Sequence, residues 1–166
     1  MNKEGIRITV YTDDRQQETG NLIISIQHAE FGVAITLDDQ PDLKSIPTFY
    51  QSNKGNFWIA QVGGRIIGTI ALLDIGEGRG ALRKMFVHAG YRGKEWGVGQ
   101  RLLDTLLNWA KEKQYREILL GTTEKFLAAQ RFYEKNGFVE VAKASLPATF
   151  PIMPVDVKFY SKTISE

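Results

Sequence analysis

Hydrophobic and polar positions change their period in a regular order along the chain. "IRITVY", from Ile6 to Tyr11, reads as a first strand. "TDDRQQETGNLIISIQHAEF" opens on helix-capping residues and then sets Leu22, Ile23, Ile26 and Ala29 at helical spacing. A shorter helix is expected over "DLKSIPTFYQ", with Pro47 disturbing its far end. "FWIAQV" and "RIIGTIALL" are strand-like runs joined by Gly63-Gly64; two glycines accept the positive φ angles of a tight turn, so these runs should pair antiparallel. Gly76, Gly78 and Gly80 punctuate the next loop, and "ALRKMFVH" follows as a strand. Leu102, Leu103, Leu106, Leu107 and Ala110 then share one face of a helix. "REILLG" reads as a buried strand, "EKFLAAQRFYEKNG" as a helix that Gly137 stops, and "FVEVAKA" and "DVKFYSKTI" as closing strands. With no repeat, low-complexity tract or linker, the series implies one α/β domain over residues 1–166: an antiparallel front half, then strand, helix, strand, helix, strand.

Composition narrows the function classes. The 166 residues are 43% hydrophobic and 24% charged, which fits a single domain able to bury a core. Twenty-one Lys and Arg against nineteen Asp and Glu give a net charge of +2, too small to argue for nucleic acid or an anionic membrane, so any basic function is local. The absence of cysteine excludes disulfides, thiolate zinc sites and a cysteine nucleophile, and agrees with a reducing compartment. His28 and His88 are the two histidines, and the carboxylates show no ligand spacing, so no metal is expected. "MNKEGIRITV" lacks the apolar core of a signal peptide, and no apolar run approaches the roughly 20 residues that span a bilayer. A cytoplasmic protein with no membrane partner is the expectation.

The stretch "YRGKEWGVGQRLLDTLLNWAK", residues 91–111, turns from a glycine-rich basic loop into a helix. The first N–H groups of a helix lack internal partners and sit at the positive end of its dipole, which suits a phosphate. Glycines 93, 97 and 99 would let an anion reach the main chain, and Arg92, Lys94 and Arg101 add charge nearby. Taken alone, such a turn is equally a flexible loop before a surface helix. Two better-known phosphate loops fail on the letters. No Gly-Lys-Ser or Gly-Lys-Thr occurs, and the third glycine of a dinucleotide fingerprint is Leu102 here.

Lys94-Glu95-Trp96-Gly97-Val98-Gly99, after "VHAGYRG", resembles the Gln/Arg-x-x-Gly-x-Gly/Ala hallmark of the GCN5-related N-acetyltransferase (GNAT) family, with Lys at the position that is generally Gln or Arg. "AAQRFYEKNGF" is similar to the family's second signature, matched by Ala129, Tyr133, Gly137 and Phe138. The two stand in the family's order, and the strand and helix series covers nearly the whole chain. The resemblance implies a mixed, mostly antiparallel central sheet flanked by helices, and acetyl-coenzyme A as co-substrate.

It also implies residue roles. The turn of Arg92, Gly93, Lys94, Glu95, Trp96, Gly97, Val98, Gly99 and Gln100 would hold the pyrophosphate by its amides, with Arg92 replacing the fork that Lys94 lacks. Met85, Phe86 and Val87, on a strand splayed by a bulge, would pair with the pantetheine arm, and Ala129 would face the cofactor. Phe126 stands where an Asn often makes a polar contact. Tyr133 would protonate the departing thiolate; its plain alternative is a core aromatic packed on Phe132.

The acceptor side is less defined. Many relatives carry a Glu near the start of the splayed strand, where this chain has Arg83 and Lys84. Either cation would bind a substrate carboxylate, but alternation along a strand allows only one into the cleft; the plain alternative is a solvated rim. Glu30, Asp38, Asp39 and Asp42 fall in the usual acceptor wall, and His88 lies beyond the strand. No base is singled out among them. The reading is an N-acetyltransferase acting on a small primary amine, amino-acid-like, by direct attack in a ternary complex. A coenzyme A-binding sensor and a protein lysine or N-terminal acetyltransferase are the alternatives. An exposed final strand would offer a homodimer contact.

Overall fold

Gly63 and Gly64, at φ of 56° and 80°, close the tight turn between β2 (Asn56–Val62) and β3 (Arg65–Gly76), and the two strands pair antiparallel as their glycines require. The structure, a computed structural model, describes residues 5–32, 35–123 and 127–164. β1 (Ile6–Val10) precedes a 3-10 turn, α1 (Gln16–Phe31) and two short helices, α2 (Pro41–Lys44) and α3 (Ile46–Phe49). After β3 come β4 (Arg79–Val87), α4 (Val98–Glu112), β5 (Glu117–Thr122), α5 (Leu127–Lys135), β6 (Val139–Val141) and β7 (Lys158–Thr163).

The seven strands form one sheet in the order β1-β2-β3-β4-β5-β7-β6, antiparallel except between β4 and β5. Leu102, Leu103, Leu106 and Ala110 on α4 are fully buried against one face, with Ile67, Ile70 and Leu72 of β3. Each leucine there contributes about 2 kcal/mol of burial. The opposite face packs under α1, α2 and α3 through Ile23, Leu43, Ile46 and Tyr50. A smaller cluster of Ile75, Ala81, Leu119, Phe150 and Phe159 anchors the long segment between β6 and β7.

Three expectations change. Gly80 lies inside β4, where Leu72 and Tyr115 crowd the space of a side chain, and the β3–β4 turn is only Glu77-Gly78. Ala29 is exposed, while Thr19 and Gln27 are buried, so α1 buries a partly polar face. The final strand, β7, is paired on both sides, and the short β6 forms that edge of the sheet. The homodimer contact expected from an exposed final strand therefore has no such strand to use.

Candidate active site

β4 begins beside β5 and then leaves it. Their parallel pairing covers only Arg79, Gly80 and Ala81 against Glu117, Ile118 and Leu119. Beyond it, β5 continues with β7 and β4 with β3, which opens a wedge along Met85, Phe86 and Val87. Between Thr69 and Ala71 of β3 the register with β4 slips, so Lys84 and Met85 stand opposite the single residue Ile70. This is a β-bulge, and Lys84 takes a left-handed φ of 53° within it. The buried hydroxyl of Thr69 donates to the Lys84 carbonyl at 2.7 Å, satisfying a group that the bulge removes from the ladder.

The bulge overturns the expectation that Arg83 and Lys84 face opposite sides. Both project under α2 and α3. The Arg83 guanidinium lies 5.9 Å from the ring centres of Phe49 and Tyr50, and the Lys84 ammonium lies 2.6 Å from Gln40 Oε1 and 3.5 Å from Asp42 Oδ2. An extra residue restores the side that alternation would have reversed. The Lys84 and Asp42 side chains are 6% and 9% exposed, so Asp42 is a buried counter-ion rather than a surface acid. Tyr50 donates to the same carboxylate at 2.6 Å, and Gln40 and Gln27 exchange amide hydrogen bonds. Burial lowers the Lys84 pKa, and Asp42 pulls it partly back. Among the described residues Arg83 has no carboxylate within ion-pair distance; its polar contact is the Met153 sulfur at 3.3 Å.

On the other face, Gly97 caps α4 in the left-handed region at φ 65°, and Gly93 turns the loop at φ 110°. The first bond of the helix runs from the Arg101 N–H to the Gly97 carbonyl, so the amides of its first turn point outward. A side-chain carbon at Gly99 would meet only ordinary contacts with Met85, Phe132 and Val87, so the fold itself does not demand glycine there. Gly93, Lys94, Gly97, Gly99 and Gln100 line a cleft of about 1380 Å³, together with Ala129 and Arg131 of α5. Three members of the expected turn have their side chains elsewhere. Val98 is buried in the core, Trp96 packs edge-on to Tyr91 at 5.1 Å, and the Glu95 carboxyl folds over Gly93. Phe126 lies outside the described residues.

Arg92 lines the same cleft but is already engaged: its Nε donates to the Val87 carbonyl at 2.8 Å, and it pairs with Glu30 at 2.5 Å. Glu30 thus ties α1 to the loop before α4. His88 is held by the Gly90 amide and faces Arg65 at 3.0 Å. Asp38 pairs with Lys44 and Asp39 accepts from Thr36, both at the exposed surface.

The cleft is continuous through the wedge. Its lining runs from Gly97 and Gly99 past Met85 and Tyr133 to Gln40, Arg83 and Lys84 on the opposite face. Tyr133 is buried in the α4-side core, with Phe132 at 5.7 Å, and its hydroxyl reaches the Met85 sulfur at 3.5 Å. It is both a packed aromatic and a cleft residue. Burial raises its pKa above the ordinary phenol value, so the hydroxyl is neutral at physiological pH.

Asp156, on the segment before β7, is a cleft-lining residue that the pattern of the sequence did not mark. It lines the cleft beside Arg83, accepts from the Met153 amide at 3.1 Å, and lies over Gly121 of β5. A side-chain carbon on Gly121 would stand 2.6 Å from its Oδ2. The glycine inside a strand was the available signal, because such a residue often marks the close approach of another group. Burial raises the Asp156 pKa, while the Met153 amide and the Arg83 charge oppose the rise.

Among the described residues there is no group of three or more acidic or histidine side chains able to hold a metal ion, and no helix long and apolar enough to cross a membrane.

The mixed, mostly antiparallel sheet flanked by helices is a fold shared with known proteins. Residues 22–138 match the acetyltransferase (GNAT) family model, and the chain belongs to that family of acyltransferases. A GNAT-family acetyltransferase from Staphylococcus aureus Mu50 is 40% identical and superposes with a TM-score of 0.91 over 96% of this chain and 99% of that one. N-acetylaspartate synthetase of Xenopus tropicalis is 35% identical over 102 residues, which are 60% of this chain and 37% of that protein. The match thus spans little more than a third of that curated relative. An N-acetyltransferase from Thermoplasma acidophilum, in complex with coenzyme A, shares the fold at 19% identity and a TM-score of 0.71, covering 95% of this chain and 98% of that one.

Proposed function

We propose that the protein transfers the acetyl group of acetyl-coenzyme A to the primary amine of a small, carboxylate-bearing acceptor by direct attack in a ternary complex. The observation that carries this reading is the single cleft that crosses the sheet at the wedge between β4 and β5. On the α4 side, the outward amides of Val98, Gly99 and Gln100 in the first turn of the helix receive the diphosphate, with Lys94 and Arg131 lining the same end. The pantetheine arm follows the open edge of β4 to Tyr133, whose neutral phenol protonates the leaving sulfur. On the other side, Arg83 receives the acceptor's carboxylate in a bidentate grip. Lys84 is neutralised by Asp42, which leaves Arg83 as the charge for that task.

Similarity to proteins named for coenzyme A binding and for N-acetylaspartate synthesis supports the cofactor and the acceptor class. The segment that carries Phe150, Met153 and Asp156 walls the acceptor end, which favours a small molecule over a peptide. The test is release of coenzyme A thiol with glycine, L-aspartate, L-glutamate, ethylamine, polyamines and lysine peptides, alongside calorimetry with coenzyme A. Faster turnover of the amino acids than of ethylamine or peptides is expected. Binding of coenzyme A without thiol release would make the protein a sensor, and no binding heat would end the reading.

A further inference from the structure

The acceptor's amine reaches the enzyme as an ammonium ion and must lose a proton before it attacks. Tyr133 is unsuited to this step, because it is protonated and lies on the α4 face with the sulfur path. On the opposite face, the carboxylates already discussed are occupied. Asp42 neutralises Lys84, Glu30 binds Arg92, Asp38 pairs with Lys44, and Asp39, which also lines the cleft, accepts from both the amide and the hydroxyl of Thr36.

We propose that Asp156 is the catalytic base, taking the proton from the acceptor ammonium at the mouth of the wedge between β4 and β5. This rests on the transferase reading above. Three observations support it. Asp156 comes from the wall segment yet lies directly over Gly121, on the β5 side of the opening, where only the lack of a side chain leaves room for it. It lines the same cleft as Arg83, so an acceptor whose carboxylate meets Arg83 presents its amine beside Asp156. One carboxylate oxygen, Oδ2, is fixed by the Met153 amide, which orients the group.

The groups facing Asp156 set its basicity. β5 presents Gly121, with the Phe159 ring of β7 beside that glycine, its own segment presents the Met153 amide, and Arg83 of β4 supplies the nearby charge. Burial outweighs the amide and the cation and makes Asp156 a stronger base than a solvated aspartate.

The protons balance. One of the ammonium's three passes to Asp156 and from there to solvent. The freed nitrogen bonds to the thioester carbon, and the C–S bond breaks as Tyr133 protonates the sulfur. A second proton leaves the nitrogen and, through solvent, restores the phenol. The third remains on the amide.

The experiment compares wild type, Asp156→Asn and Asp156→Glu with two kinds of nucleophile: glycine and L-aspartate, which are ammonium ions at neutral pH, and hydroxylamine, which is already unprotonated. With the amino acids, kcat of Asp156→Asn should fall about 100-fold at pH 7 and climb steadily with pH, and Asp156→Glu should recover part of the loss. With hydroxylamine the fall should be less than about five-fold, and calorimetry should give coenzyme A affinity equal to wild type. Equal losses for both nucleophiles, or an unchanged pH profile, would overturn the assignment. A wild type that binds coenzyme A yet acetylates none of these nucleophiles would overturn the transferase reading and this step with it.

Discussion

The hydroxyl of Tyr133 reaches the sulfur of Met85 at 3.5 Å, across the space where β4 has parted from β5. A sulfur is a weak acceptor, so this phenol forms no strong bond within the protein. Replacing it with Phe should therefore cost less than about 1 kcal/mol of stability. If Tyr133 protonates the leaving thiolate, Tyr133→Phe should lower kcat about 100-fold with coenzyme A affinity unchanged. Because burial raises its pKa above the ordinary phenol value, Tyr133 stays protonated throughout the working range. The wild-type rate should then show no alkaline fall due to this residue below about pH 10. Steady-state kinetics and calorimetry on the variant check both statements.

The glycines of the α4 turn separate fold from binding. Gly97 holds φ 65°, so Gly97→Ala should destabilise by about 1 kcal/mol through backbone strain. Gly99 is helical and a methyl group there would make only ordinary contacts, so Gly99→Ala should keep the wild-type melting temperature. A diphosphate resting on this turn would meet the new methyl group, and coenzyme A affinity should fall about tenfold, or ~1.4 kcal/mol. Thermal melts and calorimetry on the two variants distinguish these effects.

The turn around Gly97 was legible because its chemistry is local: glycines, cations and a helix start lie together in the sequence. The leucines of α4 and the Gly63-Gly64 hairpin were legible for the same reason. Long-range geometry was not. Alternation placed Arg83 and Lys84 on opposite faces, and one bulged residue facing Ile70 put them on the same one. Periodicity does not encode the insertion of β7 between β5 and β6, since strand order depends on which edge the chain returns to. Asp156 was hidden because it lies in a segment without period, and its meaning comes from Gly121, which is distant in sequence on β5.

Lys84 and Asp42 form a buried pair, and removing one partner strands the other. Asp42→Asn should destabilise the fold by about 3 kcal/mol. Since burial lowers the Lys84 pKa below its unfolded value, the unfolded chain binds more protons between the two values. The penalty is therefore full below the folded-state pKa and disappears as pH rises toward the unfolded value of about 10.4. Denaturant melts of Asp42→Asn should show a deficit that narrows between pH 7 and pH 10. Lys84→Met in the same chain should recover most of it.

Asp156 should carry the opposite sign. Burial raises its pKa, so its ionised form costs stability above the folded-state pKa, and that cost is absent below the unfolded value. Asp156→Asn keeps an oxygen for the Met153 amide and removes the charge. It should melt higher than wild type at pH 7, with the difference closing as pH falls through the carboxylate range. A variant that is more stable and less active would match a group retained for chemistry rather than for folding.

On the proposed reading, Arg83 sets the acceptor class. Its guanidinium lies over the adjacent rings of Phe49 and Tyr50 without a carboxylate partner among the described residues, and its one polar contact is to a weak acceptor, the Met153 sulfur, which a substrate carboxylate would readily replace. Arg83→Ala should raise KM for glycine and L-aspartate at least tenfold, while KM for ethylamine stays within about twofold, because ethylamine has no anion to lose. Arg83→Lys should recover only part of the loss, since an ammonium keeps the charge but not the two parallel N–H bonds. The removal of Arg83 also takes a positive charge from beside Asp156, whose pKa should then rise further. For the amino-acid substrates the acidic limb of the pH–rate profile should accordingly move to higher pH in Arg83→Ala. Equal rises in KM for all amines, with no movement of that limb, would show that Arg83 only braces the wall of the cleft.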